Sequence, residues 1–340
     1  MDSLVAIAGG VDHRLFLNSR GELFSEGENS CGQLGIGKGP EFLSTPVPYK
    51  IPGLSNICSI SSTWEHSLAL TDRGLVYSWG NNFSGQLGIG TAHNQPSPKK
   101  IKNIPKIIAI SAGKQHSLLL SSKGEVFGFG SNECGEISSK LPQANYLSPV
   151  KLELPKMLQI AVGDEFSAGL AADYTVWIWG DPVSSWRGGP GYNAISFKQL
   201  TGLQDIQKIA AGDEHLLLLG KDGSVSFVGR SSQGELFNNK NSSVTMPRLI
   251  TSLSKVQKIA TGPLNSYALD EEGQLYAWGF NLSKFQFENT NQMHFYQPTP
   301  IQLVNPLFLS YIFSDYNTQS LKPFEIEKYY RLYLAKSLHL

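Results

Sequence analysis

The sequence predicts an all-β fold, a β-propeller with six recognisable blades, a degenerate seventh segment and a C-terminal amphipathic helix. Three observations lead there. One pattern recurs at intervals of 53, 50, 50, 49 and 50 residues, read on the series His13, His66, His116, Phe166, His215 and Asn265. A second series, Gly27, Gly80, Gly130, Gly180, Gly229 and Gly279, keeps the same intervals. A fixed period of about 50 residues marks one supersecondary unit copied around an axis or along a line. Finally, the apolar runs in each copy are short and bounded by turn residues, which favours strands over helices.

The elements of one copy can be taken in order. In copy three, Ile110 to Gly113 closes an apolar run on a small residue, and His116-Ser117-Leu118-Leu119-Leu120 opens the next. In copy two, Ser67 to Leu70 and Leu75 to Gly80 flank Thr71-Asp72-Arg73-Gly74, a hairpin whose glycine supplies a left-handed residue. That turn glycine recurs as Gly21, Gly124, Gly223 and Gly273, whereas copy four has Tyr174 and is expected to turn differently. After the aromatic-Gly pair comes Asn81-Asn82-Phe83-Ser84-Gly85-Gln86-Leu87-Gly88, echoed by Asn29 to Gly35. A phosphate-cradling glycine loop needs a helix opening behind it. Here Pro96 and Pro98 follow, so these glycines read as structural. A short outer strand such as Val150-Lys151-Leu152 completes the copy. About four strands and no helix per copy describe a propeller blade.

The copies span about 5–50, 57–101, 107–151, 157–200, 206–250 and 256–301, within a propeller domain of residues 1–321. Residues 302–321 read as a decayed partial blade, since Ile312 lies 53 positions beyond Ile259. In the remaining segment, 322–340, Ile326, Tyr329, Tyr330, Tyr333, Leu334 and Leu338 fall at helical spacing behind Pro323. A helix docked on the propeller edge is the expectation.

Lys plus Arg and Asp plus Glu number 28 each, so no net field draws the chain to nucleic acid or to an anionic membrane. Cys31, Cys58 and Cys134 make neither a disulfide framework nor a zinc spacing. No run approaches a membrane span and no signal peptide precedes the first copy. A cytoplasmic or nuclear monomer without metal or cofactor is expected. Frequent Asn, Lys, Ile and Ser also admit a bacterial protein delivered into a host cell.

The repeated histidines occupy one equivalent position per blade, a ring rather than a metal cluster, and read as structural residues tying strand and turn within each blade. More informative are the residues just before them: Asp12, Glu65, Gln115, Asp164-Glu165 and Asp213-Glu214. These acids are expected to converge near the axis at one face. Of the six tryptophans, Trp79, Trp179 and Trp278 fill the aromatic-Gly slot. Trp64, Trp177 and Trp186 fall outside that slot, and Trp64 and Trp186 are the candidates for partner contact.

The Ala-Gly, His-Ser, Trp-Gly-Asn-Asn and Gly-Gln-Leu-Gly words quoted above resemble the regulator-of-chromosome-condensation repeat family over residues 5 to about 301. Copies one to three and six carry the likeness most fully; copy four, with Asp181-Pro182 and Trp186 to Gly191, departs furthest. The resemblance implies a seven-bladed propeller, leaving six blades or seven open here. It also implies a face of acids and histidines that contacts the GTPase Ran and expels its nucleotide. Asp12, Trp64, Glu65, Asp164, Glu165, Trp186, Asp213 and Glu214 are the positions to which that role transfers. The even spacing leaves no room for the inserted wedge of the family's exchange factor; the Trp186 to Tyr192 and Lys38 to Pro48 segments are the only protruding candidates. A basic N-terminal tail is missing, so chromatin binding is not carried over. The rival reading is a scaffold propeller without exchange activity.

Overall fold

In a computed structural model, residues 4–10, 12–39, 41–138, 144–181, 195–231, 242–280 and 294–301 are described. Among them lie six four-stranded antiparallel sheets, each a simple meander. Blade three runs Ile107–Ala112, His116–Ser121, Val126–Ser131 and Asn145–Lys151 from the axis outward. The first strands of consecutive blades, Leu4–Gly9, Ile57–Thr63, Ile107–Ala112, Met157–Val162, Ile206–Ala211 and Val256–Thr261, lie each against the next along the axis. Among the described residues there is no helix, and none long and apolar enough to cross a membrane. The expected partial blade over 302–321, the C-terminal helix, Trp186 and the loop around it lie outside the described residues.

The core sits between blades rather than within them. One cluster joins Leu15, Leu17 and Leu23 of blade one to Ile57, Ala69 and Trp79 of blade two. This follows from the pleat: a radial sheet buries both faces against its neighbours, so second strands such as His116–Ser121 are buried at every position.

Two backbone features repeat. At the aromatic-Gly position φ is positive in all six copies, for example 104° at Gly130. A Cβ on Gly130 would stand 2.4 Å from the Gln115 carbonyl oxygen, so this slot excludes every side chain. The neighbouring Ser131 amide donates to that same carbonyl at 2.8 Å, pinning the loop before the histidine. Copy four, by contrast, does not turn differently. Tyr174 adopts φ 65° and its amide donates to Ala171 O at 2.9 Å, matching Gly124 and Ser121. A left-handed tyrosine costs about 1 kcal/mol, and Lys221 Nζ lies 3.7 Å from its ring centroid, partly offsetting that strain.

The histidines correct the reading that each fastens its own blade. Their rings reach across to the next one: His13 Nε2 lies 3.0 Å from Ser67 Oγ, His66 2.9 Å from Ser117, His116 2.9 Å from Ser167 and His215 2.8 Å from Ser266. Ser117 Oγ donates to Gln86 O and Ser167 Oγ to Glu136 O, each at 2.9 Å. Each hydroxyl has one proton, so it must accept from the imidazole, which fixes the Nε2–H tautomer at His66 and His116. Nδ1 then carries a bare lone pair, and in all four rings it is buried without a partner. Burial drives the pKa of His13 and His215 down to about 4 and that of His66 and His116 to about 3.

Where the link is absent, both ends change together. Blade four has Phe166 in place of the histidine and blade five has Leu216 in place of the receiving serine; both pack in one apolar cluster. Blade one carries Arg14 in the serine slot and Glu26 in the aromatic slot, 3.4 Å apart as an ion pair. Elsewhere the indole completes the seam, Trp79 Nε1 donating to Gln33 O at 2.9 Å and Trp179 Nε1 to Glu136 O at 2.8 Å.

The unfolded chain protonates its histidines near pH 6.5, the folded chain only near 3 to 4. Their contribution is therefore complete above pH 6.5 and withdrawn as pH falls toward 4. Glu136 runs the other way: burial raises it to about 7, so it adds stability as pH falls from there toward its unfolded value. His116→Asn, which borrows the Asn265 solution of blade six, is expected to flatten the pH dependence of unfolding free energy between pH 6 and 4.5 by about 1.4 kcal/mol per pH unit. Denaturant titrations across that range check it, and an unaltered slope contradicts a neutral buried imidazole.

Candidate functional site

Two kinds of loop leave the same end of every blade: the one preceding the histidine slot and the one following the aromatic-Gly pair. Together they form a loop face; the hairpin turns form the opposite, turn face. The second-signature loops spend their amides on themselves. In blade two, Ser84 N donates to Gln86 Oε1, Leu87 N to Asn82 Oδ1, Gly85 N to Asn82 O and Gly88 N to Gly85 O. Amides held this way are not presented to a phosphate. The longer Lys38 to Pro48 segment is likewise tethered, Asn29 Nδ2 donating to Lys38 O at 3.2 Å and Phe42 O at 2.9 Å, with Lys38 Nζ 4.1 Å above the Phe42 ring.

The residues before the histidine do not form one ring of acids. They divide by slot. In the slot next to the histidine, Asp12 is exposed, while Glu65 and Glu165 turn into the seam with the preceding blade. Glu65 Oε2 accepts from Asn81 Nδ2 at 2.7 Å and meets Cys31 Sγ at 3.7 Å. Glu165 meets Cys134 in the equivalent seam, where burial together with Glu136, Glu165 and Asp181 pushes the thiol far up. Burial also holds Glu165 above the usual carboxylate range, with Lys114 pulling it back.

One slot earlier, Trp64, Lys114, Asp164 and Asp213 stand beside the axis, and the backbones of blades four to six join there, Asp164 N donating to Asp213 O at 2.9 Å and Asp213 N to Pro263 O at 3.0 Å. Trp64 Nε1 donates to Asp164 Oδ1 at 3.1 Å although they belong to blades two and four. Lys114 of blade three closes the triangle: its Nζ lies 3.6 Å from Asp164 Oδ2 and 4.4 Å from the Trp64 ring centroid. Asp164 is only 6% exposed; burial raises its pKa, Lys114 and Trp64 oppose this, and Glu214 adds to it. Trp64 holds φ 42°, a strained position for a bulky residue that the triangle sustains.

The structure thus brings together Trp64, Asp164 and Asp213, with Glu214 half-buried beside them, and sends Glu65 and Glu165 elsewhere. Lys114, Cys31, Asn81 and Asp181 were missed. Lys114 was legible, since it occupies the column of Trp64 and Asp164. No grouping of His, Cys, Asp and Glu suited to hold a metal ion occurs among the described residues. The Trp64–Lys114–Asp164 triangle caps the centre of this face.

Lys114→Met is expected to cost about 2–3 kcal/mol at pH 8 by leaving a buried carboxylate without its cation. The loss should shrink as pH falls and Asp164 takes up a proton, and Asp164→Asn in the same chain should recover most of it. Equal losses at pH 8 and 5, measured by denaturant unfolding, contradict the triangle.

Comparison with known proteins agrees with this architecture. The model of the RCC1-like domain matches residues 1–314. Human HERC2, an E3 ubiquitin-protein ligase, is 29% identical over 295 residues, covering 82% of this chain and 6% of HERC2. The ultraviolet-B receptor UVR8 of Arabidopsis thaliana is 40% identical over 84 residues, 25% of this chain and 19% of the receptor. The chain therefore spans a fifth or less of either relative's length. Among solved structures, Prp20p of Saccharomyces cerevisiae, described with its binding to Gsp1p and histones, superposes with TM-score 0.76 at 25% identity, covering 88% of this chain and 77% of Prp20p. With its six meander blades, their shared seam chemistry and this match over nearly its whole length, the chain belongs to the RCC1-like domain family.

Proposed function

We propose that this propeller binds a small GTPase of the Ran type through its loop face and promotes release of the bound nucleotide. The observation that carries the reading is the gathering of acids at one end of the axis, on a propeller similar to one described with binding to Gsp1p. A GTPase holds its nucleotide through Mg²⁺ and a lysine of the phosphate loop. Carboxylates brought against that loop compete for the lysine and weaken the metal site. Asp12 is exposed and Asp213 half-buried on this face, and Glu214, half-buried with its Oε2 enclosed, lies beside Asp213. Asp164 is committed to Lys114 and Trp64, so its part is to position the indole for contact.

A second reading, docking without exchange, is favoured by that same triangle, which neutralises the acid nearest the axis. Release of a fluorescent guanine nucleotide from purified Ran, with and without the chain, separates the two. Acceleration is expected, lost at least tenfold in an Asp12→Asn, Asp213→Asn, Glu214→Gln chain, a change of about 1.4 kcal/mol or more. Binding with unaltered release establishes docking alone, and absence of binding overturns both readings.

A further inference from the structure

The turn face carries a feature independent of the loop face. In all six blades the pairing of first and second strands slips at one place, skipping the second residue of the first strand. The skipped residues are Val5, Cys58, Ile108, Leu158, Gln207 and Gln257, and each is exposed. A bulge at a rim re-aims its side chain out of the ladder. Here it does so six times around the axis, at the turn-face end of the strands.

The two halves of this ring differ in chemistry. Blades one to four contribute Val5, Cys58, Ile108 and Leu158, with Val5, Ile108 and Leu158 left 41%, 52% and 47% exposed. Blades five and six contribute glutamines, so the fold itself does not require an apolar residue in this slot. An arc of exposed aliphatic side chains maintained at a position that tolerates glutamine marks a contact surface.

The rim of the arc is basic. Lys106 and Lys156 each stand two residues before a bulge, their carbonyls accepting from Ser122 N at 2.9 Å and Ala172 N at 2.8 Å, which ties them to the hairpin turns. Both side chains are exposed and neither forms an ion pair among the described residues. Arg73, Lys102 and Lys123 are exposed in the same sector, against Asp72, Glu153 and Asp173. The corresponding positions in blades five and six are Asp205 and Lys255, which are already paired with Lys221 and Glu271.

We propose that this mouth of the axis binds a short peptide segment of a partner protein, an aliphatic or aromatic side chain entering the arc of Val5, Ile108 and Leu158 and flanking carboxylates meeting Lys106 and Lys156. The unmatched positive rim selects an acidic partner over a neutral one, and the ring of polar hairpin turns around the arc favours an inserted side chain over a flat bilayer.

Fluorescence anisotropy with three labelled peptides tests this: a Leu-Phe-Leu core flanked by aspartates, the same core flanked by lysines, and an aspartate-flanked core of serines. Only the first is expected to bind saturably, with affinity falling as salt rises. Leu158→Gln, which copies blades five and six, and the pair Lys106→Glu and Lys156→Glu should each weaken it at least tenfold, about 1.4 kcal/mol. The thermal midpoint of each variant, measured alongside, shows that the fold is intact. Equal binding of acid- and lysine-flanked peptides, no saturable binding of any, or binding of phosphatidylserine vesicles in place of the peptide overturns the proposal.

Discussion

The hydrogen bond from a neutral imidazole to the serine of the following blade sets the geometry on which the ring depends. The serine passes its own proton to a carbonyl of the loop that the first blade's neighbour must accommodate, so three segments from two blades share one buried chain of donors. The glycine three residues before the histidine leaves space for the ring: a Cβ at Gly113 would stand 3.1 Å from the His116 Cε1, and one at Gly212 2.3 Å from that of His215. A single change to such a chain is costly, because an orphaned buried polar group costs more than the bond contributes. The paired replacement of His and Ser by Phe166 and Leu216 follows from that asymmetry.

The same bond places the loop face. Each second strand begins at the histidine, so the two residues before it are delivered to the loop face at a fixed height in every blade. In the nearer slot Glu65 and Glu165 meet the preceding blade's loop, and in the earlier slot Trp64, Lys114 and Asp164 meet each other across the axis. Trp64, Lys114 and Asp164 differ in character yet interlock, because the frame that holds them is common. At the opposite end the bulges perform a similar service. Two faces of one axis are therefore furnished independently, with acids and an indole on one side and an aliphatic arc with a cationic rim on the other.

Much of this fold was legible in the sequence. A period kept by two unrelated residue types, the turn glycines and the short apolar runs led to four-stranded blades without ambiguity of element type. Which neighbour the histidine touches was not legible from one copy, since a repeat says equally little about contacts within a unit and contacts to the next. The signal lay in comparing columns: the serine after the histidine disappears in the blade after the one that loses its histidine. Tyr174 was misread because propensity argued against a left-handed tyrosine, while the surrounding meander imposes the turn and Lys221 covers the ring. The division of the acids into seam and axis depends on a one-residue difference in side-chain direction, which composition does not reveal. Trp186 and the chain beyond residue 301 lie outside the described residues.

The central claim is the protonation and tautomer of the seam histidines, and ¹⁵N chemical shifts of the imidazole nitrogens read it directly. His66 and His116 are expected to show a protonated Nε2 beside an unprotonated Nδ1, unchanged on lowering the pH from 7 to 5, since burial holds both near 3. An imidazolium pattern at pH 5, or the Nδ1–H tautomer at either pH, would contradict a ring held together by imidazole-to-serine bonds.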